Sequence, residues 1–221
     1  EKKVELQGDL FAEIQPVGEE APKNSSFESL KTVKHEYHLV ETEEDAKELF
    51  DFLRTFKILS LDTETTSTNS IDAELVGLSF SVNENQAWYV AIPANREQAQ
   101  KLVNIFKPLY EDEKTVKVGQ NIKYDLEVLQ NYGVTLAGKM FDTMIAHYVI
   151  QPELHHGMDY LAEIYLNYKT IHIDELIGPK GKNQGNMRDV HPSEVYEYAC
   201  EDADVTLKLK NILEQELKKV G

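Results

Sequence analysis

Ile58-Leu59-Ser60-Leu61-Asp62-Thr63-Glu64-Thr65 runs from apolar residues straight into two carboxylates. The apolar run, over 57–62, reads as a buried strand. Residues i and i+2 of a strand point to the same face. Asp62 and Glu64 are therefore expected to project side by side where the strand leaves the sheet. Two like charges so close repel unless a cation lies between them. A hard cation with oxygen ligands, such as Mg²⁺, resolves the repulsion most simply. The bland alternative is a strand that ends in a solvated acidic turn.

The 221 residues fit one sizeable domain plus extra sequence. No apolar run is long enough to span a bilayer, and the N-terminus carries no signal-peptide pattern. The single cysteine, Cys200, excludes an internal disulfide framework and suits a reducing cytosol. The chain begins at Glu1 rather than Met, which reads as a piece of a longer protein. A net charge of −16 argues against a protein whose main task is gripping duplex DNA. It does not exclude an enzyme that meets nucleic acid through metal ions, because the formal count omits the metals.

Residues 1–35 read as a flexible linker, polar and acidic, with Pro16, Gly18, Pro22, Ser25 and Ser26 and no sustained period. Leu10-Phe11 is an isolated apolar spot in it. The domain is expected over 36–221. Strands are expected at 36–41, 57–62, 75–82, 86–92 and 115–119, the third and fourth joined as a hairpin by Asn83-Glu84-Asn85. Helices are expected at 46–56 after a Thr42 capping pattern, and at 95–110, 122–132, 141–150, 160–168 and 193–217. Strands interspersed with helices imply an α/β domain with a mixed sheet. The polar, Gly-rich stretch 178–190 reads as a long exposed loop, and its Lys180, Lys182 and Arg188 are expected to touch substrate.

Two further acidic words stand out. In Gly119-Gln120-Asn121-Ile122-Lys123-Tyr124-Asp125, Asn121 is placed to cap a helix, and Asp125 follows about one turn later. In Tyr198-Ala199-Cys200-Glu201-Asp202-Ala203-Asp204, Tyr198 and Asp202 share a helix face while Asp204 points roughly the opposite way. Each word alone is more often a surface acid or a core-edge tyrosine. Adjacent His155-His156 has poor geometry for one shared metal. No phosphate-binding glycine loop and no nucleophile turn is present. Cys200 lacks a histidine partner and reads as a structural thiol.

Asp-x-Glu, then Asn-x-x-x-Asp, then Tyr-x-x-x-Asp, in that order, resembles the 3′–5′ exonucleases of the DEDD type, and Tyr198 places the resemblance in the DEDDy branch. The surrounding words Leu61–Thr65, Leu75–Phe80, Gly119–Asp125, Phe141–Thr143 and Tyr198–Thr206 are similar to the exonuclease domain of bacterial family A DNA polymerases. The likeness covers roughly residues 36–221. Two positions depart from that pattern. Thr68 stands where an apolar wedge is often found, and Met187 where an aromatic residue can occur.

The resemblance implies an RNase H-like fold, a central mixed sheet flanked by helices. It implies hydrolysis of the last phosphodiester at the 3′ end of single-stranded or frayed DNA, releasing nucleoside 5′-monophosphates. It implies two divalent ions, Mg²⁺ or Mn²⁺. Asp62, Glu64 and Asp202 would hold one, and Asp62 would bridge to a second beside Asp125. Tyr198 and Glu64 would orient the attacking water, while Thr65, Asn121, Lys182, Met187 and Arg188 would hold the strand. It also implies an upstream nuclease domain, a polymerase domain after this stretch, no membrane, and a place in the bacterial cytoplasm or nucleoid. Two rival readings remain: a DEDDy ribonuclease similar to ribonuclease D, and a silent spacer domain of a polymerase.

Overall fold

In the computed structural model, which describes residues 26–220, the carboxylate strand β2 spans Ile58–Thr65. It is longer than the expected 57–62. Asp62 and Glu64 thus lie within the sheet rather than beyond its edge, because both pair with the neighbouring strand, opposite Ser79 and Gly77.

The other strands are β1 (Glu36–Val40), β3 (Leu75–Asn83), β4 (Gln86–Ala91), β5 (Val116–Gly119) and β6 (Met140–Asp142). They form one six-stranded sheet in the order β1-β4-β3-β2-β5-β6. The β2–β3 and β3–β4 pairs are antiparallel; β1–β4, β2–β5 and β5–β6 are parallel. The mixed sheet matches the expected α/β fold class. The β3–β4 hairpin turns through Asn85, whose φ of 64° suits an asparagine.

Each face of β2 meets a different layer. Leu59 and Leu61 enter a core with α1 (Glu43–Leu53), α2 (Arg96–Tyr110) and α3 (Ile122–Gln130). Ser60 on the other face donates to the Ala203 carbonyl of α7 (Pro192–Val220) at 2.7 Å. With α4 (Thr143–Ile150), α7 buries a separate cluster built on Ala146, Val205, Leu209 and Leu213. The sheet is therefore sandwiched, and the Ser60–Asp62–Glu64 face looks at α7.

Several expected boundaries moved for identifiable reasons. Thr42 caps α1, accepting from the Asp45 N–H at 3.1 Å, so the helix starts at Glu43 rather than Ala46. Phe141 belongs to β6, paired with Val118, and not to the helix that follows. The expected helix 160–168 is a short α5 (Met158–Leu161) running into a π turn, Ala162–Leu166. Asn167 at φ 50° closes that turn, and Tyr168 bridges Glu28. α6 (Asp174–Ile177) follows.

The boundary at residue 36 also shifts. Glu28 and Asn167–Lys169 exchange backbone hydrogen bonds of 3.0 and 2.8 Å, and Leu30 is buried. The packed chain thus begins before β1. The rest of the expected linker, residues 1–25 with Leu10-Phe11, lies outside the described residues. Among the described residues, no helix is long and apolar enough to cross a membrane.

Candidate metal centre

β2 and α7 together build the centre. Asp62 and Glu64 share a face of β2, and α7 brings Asp202 against that face. Carboxylate oxygens of the three lie within 4.8 Å of one another. Among the described residues, Asp202 Oδ1 is buried with no hydrogen-bond partner. A buried, unpaired carboxylate oxygen is costly unless something outside the protein completes it. Three hard oxygen donors around one such atom fit a divalent cation.

The electrostatics agree. Burial pushes Asp62 up to about 6, against the Thr63 N–H, which pulls it down. Burial, then the charges of Asp62 and Asp125, raises Glu64 well above the usual carboxylate range. Asp202 rises in the same way, first from burial and then from Asp62 and Glu64. Tyr198 lies one turn before Asp202. Burial, then the charges of Asp202, Glu64 and Asp62, holds its phenol far above the ordinary value. The tyrosine thus feels all three acids and stays protonated at neutral pH.

Asp125 stands apart from this trio. It comes from α3 on the other side of the sheet and is buried, and Thr63 Oγ1 donates to its Oδ1 at 2.6 Å. Thr63 sits between Asp62 and Glu64 and points the opposite way. Burial and then the Asp62 charge raise the Asp125 carboxyl. The strand thus carries acids on one face and the holder of a fourth acid on the other. Thr63 was missed from sequence because it looked like a mere spacer within Asp-x-Glu.

Glu64 also has a shaped floor. It pairs with Gly77, and a Cβ there would lie 2.0 Å from the Tyr89 ring. Only glycine leaves room for Tyr89 under the acid.

The other expected site residues are spread around the centre. Asn121 does not cap α3 with its side chain. It adopts a left-handed conformation, φ 58°, and is exposed. Asp142 caps instead, accepting from Asn121 N at 3.2 Å and Ile122 N at 3.0 Å. Thr65 Oγ1 reaches the Ser67 carbonyl at 3.0 Å and shares a 2.5 Å contact with the Tyr124 hydroxyl. Thr68 and Lys182 are exposed. The 178–190 stretch is less open than expected, since Met187–Asp189 form a 3₁₀ turn. Met187 is buried against Val76, Tyr89 and Ala199. The Arg188 guanidinium donates to the carbonyls of Ile92, at 2.5 Å, and Leu75.

Two more acids of α7 are buried outside the trio. Asp204 accepts from Tyr37 and the Asn85 N–H, both at 2.7 Å, and from Lys208 at 2.8 Å. Glu201 accepts from the Tyr168 hydroxyl at 2.7 Å and the Ile171 N–H at 2.6 Å. His156 pairs with His147, Nδ1 to Nδ1 at 2.7 Å, and not with adjacent His155.

A family model described as 3′–5′ exonuclease matches residues 37–218. DNA polymerase I of Pseudomonas aeruginosa is 35% identical over 221 residues, covering 96% of this chain and 24% of that protein. DNA polymerase I of Borreliella burgdorferi is 32% identical over 203 residues, covering 89% of this chain and 22% of that protein. The chain thus spans about a quarter of the length of these relatives. Among solved structures, RNase D of Escherichia coli, titled an exoribonuclease involved in structured RNA processing, superposes with a TM-score of 0.65 at 19% identity, over 83% of this chain and 45% of that one. NrnC of Brucella melitensis with bound Mg²⁺ gives 0.62 at 22% identity, over 86% and 84%. Both share the fold. With the family match running over residues 37–218, the chain belongs to the 3′–5′ exonuclease family of A-type DNA polymerases.

Proposed function

We propose that this domain removes nucleotides from the 3′ end of a DNA strand as the proofreading part of a longer, cytoplasmic DNA polymerase I. The unpartnered Asp202 oxygen between Asp62, Glu64 and Tyr198 carries the reading. Two divalent cations, Mg²⁺ or Mn²⁺, would be held by Asp62, Glu64 and Asp202 and, on the far side of Asp62, by Asp125. Bound there, they supply charge neutralisation at the phosphate and an acidified water.

The protein's own groups do the rest. Tyr198 keeps its proton at neutral pH, so its Oη orients the attacking water as a neutral hydroxyl, with a Glu64 oxygen as the second partner. Thr63 keeps Asp125 aimed while phosphate charge arrives. Thr65, Asn121 and Lys182 are the proposed strand contacts. Few clustered bases against a charge of −16 mean few released counterions, so the domain grips DNA weakly and favours unpaired ends.

The test uses 5′-labelled and 3′-labelled single strands of DNA and of RNA, with Mn²⁺ or with EDTA. The reading expects shortening from the 3′ end, release of 5′-monophosphates and arrest by EDTA. Products with 3′-phosphates, or cleavage untouched by EDTA, refute it. The fold shared with RNase D gives the RNA arm its purpose: faster digestion of RNA transfers the site to a ribonuclease. A chain that neither cleaves nor binds Mn²⁺ is a spacer.

A further inference from the structure

β3 carries an extra residue directly against the centre. Glu64 pairs with Gly77 and Thr65 with Leu75, so Val76 bulges between them. A bulge bends its strand and re-aims the side chains beside it. Here the acid beside it is Glu64.

The rim of this bulge is fastened from outside the strands. Arg188 Nη1 donates to the Ile92 carbonyl at 2.5 Å, and Nη2 donates to the Leu75 carbonyl. The Ile92 N–H in turn donates to the Val76 carbonyl at 2.9 Å, as does the Tyr89 hydroxyl at 3.2 Å. Asn186 Nδ2 donates to the Thr66 carbonyl at 2.9 Å, just past the end of β2. Asn186 Oδ1 accepts from the Arg188 N–H at 2.9 Å, which joins the two donors into one brace. Arg188 Nε is buried without a hydrogen-bond partner among the described residues, so the two Nη groups make the guanidinium's contacts. Its planar fork is spent on two strand-end carbonyls, a task that a single ammonium performs poorly.

We propose that Arg188, seconded by Asn186, is a positioning residue for Glu64: it fixes the Val76 bulge and with it the angle at which Glu64 meets the cation and the attacking water. This rests on the exonuclease reading. The guanidinium expected from sequence to hold DNA is engaged by the end of β3, the strand that pairs with the acid's own strand β2. Small misplacements of a reacting group are expensive in rate.

The experiment compares the parent with Arg188→Gln, Arg188→Lys and the milder Asn186→Ala. Leu49→Ala, in the buried face of α1 on the opposite side of the sheet, supplies a matched loss of Tm. Steady-state cleavage of single-stranded DNA gives kcat and KM, and Mn²⁺ titration followed by electron paramagnetic resonance gives metal affinity. Both Arg188 variants are expected to lose kcat by about tenfold to a hundredfold with KM within about twofold, and to weaken the tighter Mn²⁺ site. Asn186→Ala follows in the same direction with a smaller loss. Leu49→Ala is expected to match their Tm loss and keep kcat. A raised KM with kcat intact makes Arg188 a substrate contact and overturns the proposal. Equal kcat in Arg188→Gln and Leu49→Ala at equal Tm reduces the brace to ordinary packing and overturns it too. If the parent itself cleaves nothing, the exonuclease reading fails. The Mn²⁺ titration still decides the brace: unchanged affinity in Arg188→Gln refutes it, and weakened affinity upholds it.

Discussion

Asp202 and Asp204 lie two residues apart on α7, and both are buried, yet their surroundings are opposite. Every strong direction around Asp204 is filled: a phenol, a backbone N–H and an ammonium converge on it. Asp202 has the charges of Asp62 and Glu64 for neighbours and an oxygen with no donor. The pair teaches that burial alone does not mark a functional acid. Counting the donors around each acid does. Asp204 ties β1 and the β3–β4 turn to α7, whereas Asp202 faces two other acids and keeps one oxygen without a donor among the described residues.

The comparison breaks most readily at Asp202. Asp202→Ala is expected to cut single-turnover hydrolysis by roughly a thousandfold or more and to abolish tight Mn²⁺ binding. Its metal-free Tm should stay level or rise, because one of three mutually repelling acids is gone. A fall in Tm with metal binding intact would exchange the roles of the two acids.

Asp204→Ala should do the reverse. It leaves the Tyr37 hydroxyl and the Asn85 N–H without their acceptor and the Lys208 ammonium with only Asn85 Oδ1. Losing one partner of a buried pair costs about 3 to 5 kcal/mol, a drop in Tm of about 10 °C for a domain this size. The Mn²⁺ titration curve of the folded protein should overlay that of the parent.

Tyr198→Phe sharpens the comparison from the other side. It removes only the hydroxyl that faces the acids. A kcat loss of about a hundredfold, with Mn²⁺ affinity and KM little changed, is expected in stopped-time cleavage. Equal losses in metal binding would mean that the phenol helps to shape the carboxylate trio rather than the water.

His147 tests how far the donor count can be carried. Its Nε2 is also buried without a partner, far from any acid of the trio in sequence. Burial, then the His156 charge, lowers its pKa from the ordinary value of 6.5. The rings of His156, Tyr160 and Tyr165 surround it. A lowered histidine pKa means that the unfolded chain binds the proton more readily than the folded one. The stability that His147 contributes is therefore complete above 6.5 and declines as pH falls through that value toward the folded pKa. The raised carboxylates of the centre act in the opposite sense over the same range, so the test is a difference: urea titrations at pH 7.5 and 5.5 should show the parent faring worse on acidification than His147→Gln. Equal changes in parent and variant would mean that the pair takes up its proton unopposed. An orphan atom would then be harmless at this place.

Much of the centre was readable in advance, and the reason is geometric. Asp62 and Glu64 are bound by a period of two, Tyr198 and Asp202 by a period of four, and each period fixes a shared face once strand and helix are assigned. The mixed sheet followed from the same periods in five of its six strands, while β6 reads from its sequence as the start of a helix. The packing of Met187 and the carbonyl partners of Arg188 were not foreseen because a polar, Gly-rich segment looks solvated. The carbonyls that capture Arg188 belong to residues about a hundred positions away, and no local pattern announces them. Asn121 looked like a helix cap because asparagine prefers that place. Asp142, twenty residues later in sequence, accepts instead from the amides of Asn121 and Ile122 at the head of that helix. The π turn after Leu161 was invisible for a similar reason, since the residue just beyond its Asn167 cap, Tyr168, is held by a bridge to distant Glu28.

Asp142 also has a mechanical consequence. Its one carboxylate accepts from Asn121 and Ile122 at the head of α3 and from Met144 and Ile145, at 2.9 and 3.2 Å, at the head of α4. Two helix starts therefore hang on a single pin, and the helix that carries Asp125 cannot loosen alone. With Asp142→Ala, the amide hydrogens of residues 121–122 and 144–145 should begin to exchange with deuterium at one common rate, as a single opening unit that includes a wall of the nuclease.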